Sequence, residues 1–103
     1  LAEQYGVLAI PGMELTTAEE VHAVCLFSEL SAAMEFDRFV YEKLMKFPNR
    51  EEIFGKQQIM NEEDICIGSE SNLLINSTEL SFDELWDIVT GQRSCTIWQR
   101  LRN

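Results

Sequence analysis

The stretch Gly6-Val-Leu-Ala-Ile10-Pro-Gly-Met-Glu14-Leu-Thr-Thr-Ala-Glu-Glu20-Val-His22-Ala-Val-Cys-Leu-Phe27 holds two apolar runs separated by a short polar connection. Residues 7–10 are continuously apolar and bounded by Gly6 and Pro11-Gly12, which predicts a strand buried on both faces, as in a parallel or mixed sheet. Met13-Glu14-Leu15 continues that run past the Pro-Gly interruption. Thr17 and Glu20 have capping-box spacing, so the connection reads as a single helical turn. Residues 21–27 form a second expected strand, apolar apart from His22.

His22 is the only histidine, so a multi-histidine metal site within the chain is excluded. A lone His in an apolar strand is ordinarily a hydrogen-bonded core residue, and the metal reading needs a partner. Glu14 is the candidate. It ends one expected strand, and His22 begins the next after about one turn, so a reverse connection projects both side chains at one end of the sheet. A carboxylate and an imidazole suit Zn²⁺, Mn²⁺ or Fe²⁺. Two ligands alone hold a metal weakly. Cys25 lies three residues beyond His22 in a strand, which points it to the opposite face as a small core hydrophobe.

Outward from this stretch the chain alternates in type. Residues 1–5 read as the end of a helix closed by Gly6 in left-handed geometry, with upstream sequence expected before it. Residues 28–47 form the clearest helix, its apolar face carrying Phe36, Phe39, Val40, Leu44 and Phe47, with Pro48 after it. Residues 58–60 and 65–67 read as two short strands around the polar turn 61–64. Residues 72–76 fit strand and helix equally. Ser81-Phe-Asp-Glu84 is a second capping box, opening a helix through Val89 that Gly91 closes.

The first stretch resembles the third motif of the PHP (polymerase and histidinol phosphatase) domain. There an apolar strand ends in Pro-Gly-x-Glu, and a Thr-rich connection leads to a His on the next strand. The segment from Phe54 through Glu84 resembles the middle of bacterial PHP-type hydrolases. The likeness covers residues 1–90 and implies an α/β fold, here a fragment of a distorted (β/α)7 barrel with a mixed sheet and packed helices. It also implies a metal-dependent phosphoesterase, in which Glu14 is a carboxylate able to bridge two metals and His22 a terminal ligand. The family's other His and Asp ligands have no counterpart in this chain. The resemblance therefore implies an incomplete site, inactive or nearly so, with the phosphate-ester substrate belonging to a longer parent and no catalytic residue assigned.

Charge separates the tail from the rest. All 18 acidic residues lie at or before Asp87, whereas residues 91–103 carry Arg93, Arg100 and Arg102 and no acid. No family-like His follows Gly91, and the tail reads as foreign to the domain, as a frameshift would make it. The overall charge of −10 disfavours nucleic acid and anionic membrane surfaces as partners. No apolar run approaches the length of a spanning helix. Three widely spaced cysteines indicate neither a disulfide framework nor a zinc knuckle, and a reduced cytoplasmic setting is the default expectation. The alternative to the enzyme reading is a non-enzymatic acidic interaction module. In either case exposed apolar edges favour a homo-oligomer, with a homodimer the simplest.

Overall fold

A computed structural model describes residues 2–91 and 95–102, with the last strand described beyond residue 97 by its backbone alone. A short 3-10 turn, Glu3–Tyr5, ends at Gly6 with φ 65°, the left-handed geometry that glycine adopts without a Cβ clash. Residues 7–10 are not a strand. Val7, Leu8 and Ile10 are exposed, Leu8 by 85%. An apolar run predicts a buried strand only if ladders form on both sides, and this one pairs with neither neighbour.

The first strand begins after the proline. β1 (Gly12–Thr16) and β2 (Val21–Phe27) form an antiparallel hairpin. Pro11 has no N–H to donate, yet its carbonyl accepts from Phe27 N at 2.9 Å, so the ladder reaches it from one side only. Gly12 sits at a close approach: a Cβ there would lie 2.9 Å from Leu26 Cδ2 and 3.0 Å from the Cys25 carbonyl oxygen, so a larger residue would have to displace the Leu26 side chain and shift the strand slightly. The connection expected as a helical turn is instead a tight reverse turn. Thr17 O accepts from Glu20 N, Thr17 N donates to Val21 O, and the Thr17 hydroxyl accepts from Val21 N. Glu20 takes φ 65°, the left-handed position that completes a three-residue hairpin loop.

β5 (Cys95–Arg102) pairs antiparallel with the other edge of β2 along its whole length, from Phe27↔Cys95 to Val21↔Arg102, with an irregularity between Val24 and Cys25. The sheet order is β1-β2-β5 and every pairing is antiparallel, so the expected mixed sheet is corrected to an antiparallel one. A crossover helix is not needed when the β1–β2 connection is only residues 17–20. Residues 95–102 of the acid-free tail are thus the third strand of the main sheet.

Two helices cover one face of that sheet. α1 (Leu30–Lys43) is shorter than expected, because Leu44 turns to extended geometry and leaves Phe47 exposed. It buries Phe36 and Val40 against Ala23, Cys25 and Phe27 of β2, with Phe27 and Phe36 rings 5.4 Å apart. α3 (Phe82–Thr90) adds Leu85 and Val89. Half of the expected box forms: Ser81 Oγ accepts from Glu84 N at 3.1 Å, and its hydroxyl donates to the Glu84 carboxylate at 3.2 Å. A second cap comes from the hairpin turn, where the Glu19 carboxylate accepts from Phe82 N. Strict alternation along β2 follows, with Val21, Ala23, Cys25 and Phe27 buried and His22, Val24 and Leu26 half-buried on the other face.

The remaining chain forms a lateral arm. α2 (Glu51–Phe54) precedes the small hairpin of β3 (Gln58–Met60) and β4 (Cys66–Ser69), as expected for that region. Its turn is closed by Asn61 Oδ1, which accepts from Glu63 N and Ile65 N. Residues 72–80 run beside residues 43–48 through two isolated antiparallel bridges, Pro48↔Asn72 and Leu44↔Thr78, with a turn at Leu74–Ile75 between them. Gln57 holds their start, donating to Glu70 O and Asn72 O and accepting from Leu74 N. The architecture is a small α/β fold with two antiparallel sheets and three helices among the described residues.

Candidate functional site

The β1–β2 register decides where the two expected ligands lie. Glu14 faces Val24 and Thr16 faces His22 across the ladder, so Glu14, Thr16, His22 and Val24 share one face. Glu14 is diagonal to His22, a spacing its three-carbon reach can close. Glu14 Oε1 lies 3.4 Å from His22 Nδ1, with side-chain exposures of 59% and 28%. The hairpin therefore brings together the pair that the sequence singles out, by adjacency on one face.

A third polar group belongs with them. Thr16 Oγ1 lies 3.1 Å from the same Nδ1, and Thr16 is 8% exposed. The Thr16 backbone is pinned from outside the hairpin, its carbonyl accepting from both the amide and the hydroxyl of Thr78 at 2.8 Å. Thr78 is itself buried, and its hydroxyl also accepts from Leu80 N. These groups border a cavity of about 370 Å³. Glu14, Thr16, His22 and Asn76 supply its polar side, and Leu44 and Leu74 its apolar side.

The donor spacing bears on metal binding. Two donors each about 2.1 Å from a tetrahedral ion lie about 3.4 Å apart, and about 3.0 Å apart around an octahedral one. The Glu14–His22 separation matches the first value, so one carboxylate oxygen and one imidazole nitrogen fit as neighbouring ligands. Among the described residues no cluster of three or more His, Cys, Asp or Glu side chains is arranged to hold a metal. The pair is part of a coordination shell at most.

No protein-family model matches the chain, and no curated protein or solved structure is significantly similar to it. Its site must be read from its own geometry.

The cysteines do not join this site. Cys25 is fully buried on the core face, as strand parity requires. Burial, followed by the neighbouring Cys95, pushes its thiol up to about 12. Burial also raises Cys95, against a lowering hydrogen bond from Cys25. Both are protonated at neutral pH and behave as inert core thiols. Cys66 is exposed on β4, far along the chain from the hairpin pair.

Thr16 and Thr78 are the residues that motif reasoning missed. The signal for Thr16 was present: it stands two residues beyond Glu14 in a strand, so period-2 alternation puts it on the same face. Thr78 carried no such signal, because its contact with Thr16 spans 62 positions of sequence.

Proposed function

We propose that Glu14 and His22 form part of a divalent-metal site in a metal-dependent phosphoesterase of PHP type. The observation that carries this reading is the 3.4 Å approach of Glu14 Oε1 to His22 Nδ1 on one face of the hairpin. The Pro-Gly-x-Glu…His resemblance supplies the reaction class and the barrel-fragment reading of the fold. A metal bound there supplies activated water and charge neutralisation at phosphate-ester oxygens. Glu14 offers the anionic oxygen, His22 the nitrogen, and the half-enclosed cavity beside them restricts water on one side. The remaining coordination positions fall to water, substrate or groups outside the described residues, so this chain by itself is expected to hydrolyse phosphate esters poorly or not at all. Calorimetric titration with Mn²⁺ or Zn²⁺ is expected to show weak binding that His22→Ala and Glu14→Gln each reduce. Binding unchanged in both variants would remove the reading.

A second reading is a non-enzymatic, self-associating acidic module. It is favoured by the exposure of Val7, Leu8 and Ile10 beside β1 and of Ile65 and Ile67 on the lateral hairpin.

A further inference from the structure

We propose that the open edge of β1, with the apolar residues that lead into it, pairs with the same edge of a second copy of this chain. It rests on the self-associating reading and adds the surface and the register. β1 ends the three-stranded sheet, and among the described residues no strand pairs with its outer side. Hydrogen bonds within the hairpin fix which groups point outward. Phe27 N donates to Pro11 O and Thr17 N donates to Val21 O, so the odd-numbered residues of β1 bond to β2. The even-numbered residues turn their amides and carbonyls to the other side. There Thr78 N and its hydroxyl donate to Thr16 O, and Ala18 N donates to Leu80 O, so residues 78–80 close the edge at one end. Among the described residues no backbone hydrogen bond closes it at Gly12 and Glu14. Proline protects an edge by removing a donor, but Pro11 belongs to the odd set. Its missing N–H lies on the β2 side and leaves the outer edge unbroken.

Charge and symmetry point to a second copy as the occupant. Residues 4–13 are the longest uncharged stretch in a chain of net charge −10. Two copies can therefore meet there without setting carboxylate against carboxylate. The same stretch exposes Leu8 by 85% and Val7 and Ile10 by 58% each. With residues 8–10 continuing the extended backbone of β1, an antiparallel pair centred on Ile10 sets Leu8 opposite the partner's Gly12 and Ile10 opposite the partner's Ile10. Every hydrogen-bonded pair then joins even-numbered residues, the set that points outward. Pro11 faces the partner's Ala9 at a position that needs no N–H. One edge thus satisfies itself about a two-fold axis, which is an isologous contact. The two main sheets become one, and Glu14 of each copy falls beyond the paired stretch, away from the other.

Mass and register are tested together. At moderate salt, light scattering on the parent is expected to give an apparent mass twice its 11.9 kDa. Ile10→Lys makes the net charge less negative, so it cannot weaken association through overall repulsion. It is expected to run at 11.9 kDa with an unchanged circular dichroism spectrum. A Cys66→Ser background removes the exposed thiol and leaves Cys25 and Cys95 buried. In it, Ile10→Cys sits on the two-fold axis and is expected to form an inter-chain disulfide under mild diamide oxidation. Leu8→Cys is also exposed but lies about 13 Å along the strands from its own copy. It is expected to cross-link at least about 10-fold more slowly. If the parent is monomeric at low and moderate salt, the self-associating reading fails and this inference falls with it. If the parent associates, Ile10→Lys associates equally and Ile10→Cys cross-links no faster than Leu8→Cys, association uses another surface and only the edge assignment fails. Should Ile10→Lys unfold, the cross-linking comparison decides alone.

Discussion

Glu20 shows how far a single residue can depart from its expected role. Paired with Thr17 at capping-box spacing, it is expected to close a helical turn, yet it occupies the left-handed position of a hairpin loop at φ 65°. The Thr17 hydroxyl could have capped a helix. It accepts from Val21 N instead, because the flanking strands pair more strongly than a single isolated turn can form. A non-glycine residue in this geometry is strained by about 1 kcal/mol, partly offset by the larger unfolded-state freedom of glycine. Glu20→Gly is therefore expected to raise stability by up to about 1 kcal/mol in urea unfolding. A lowered midpoint would mean that the Glu20 side chain contributes something the backbone geometry does not reveal. The Glu14–His22 proximity, by contrast, was readable from sequence. Its reason is simple: a short polar connection between two apolar runs forces them into antiparallel contact, whatever the turn type.

At the scale of elements, the helices and the lateral hairpin follow their local signals, while residues 7–10 and the 72–80 segment do not. Ser81 caps the helix through Glu84 N because the two are three residues apart and no strand competes for them. Residues 7–10 carry a strand-like composition, but composition does not supply a neighbour. Residues 72–80 are organised by Gln57, by the bridge to Leu44 and by Thr78 reaching Thr16, all long-range contacts that no local window contains. α3 also gains a cap from outside itself, since Glu19 in the hairpin turn accepts from Phe82 N. Negative charge at a helix N-terminus complements the helix dipole as well as satisfying its free amides. Ser81→Ala is expected to cost about 1 kcal/mol of stability, read as a lower thermal or urea midpoint. With Glu19 still in place the helix should persist, so loss of α3 signals by NMR at equal temperature would contradict this division of roles.

At the scale of the whole molecule, two opposed features meet. Seven large apolar side chains stand exposed on residues 7–10 and on the lateral hairpin (Val7, Leu8, Ile10, Ile59, Met60, Ile65 and Ile67), and the chain carries a charge of −10. Apolar exposure favours association, whereas like charge opposes it and is screened by salt. Light scattering is expected to show an apparent mass that rises from low to moderate salt at fixed protein concentration. A monomer at both ionic strengths would remove self-association from the account. No helix among the described residues is long and apolar enough to cross a membrane.

The same acidity makes bulk metal uptake a poor guide, because exposed carboxylates collect cations without a site. A site-resolved probe avoids this. His22 is the only histidine, so its imidazole signals in NMR are unambiguous. Substoichiometric Mn²⁺ is predicted to broaden the His22 ring and the Glu14 and Thr16 resonances first, and Glu14→Gln is predicted to abolish that selectivity. Broadening that begins instead on the carboxylates of residues 62–64, with His22 sharp and Glu14→Gln indistinguishable from the parent, would contradict the metal site.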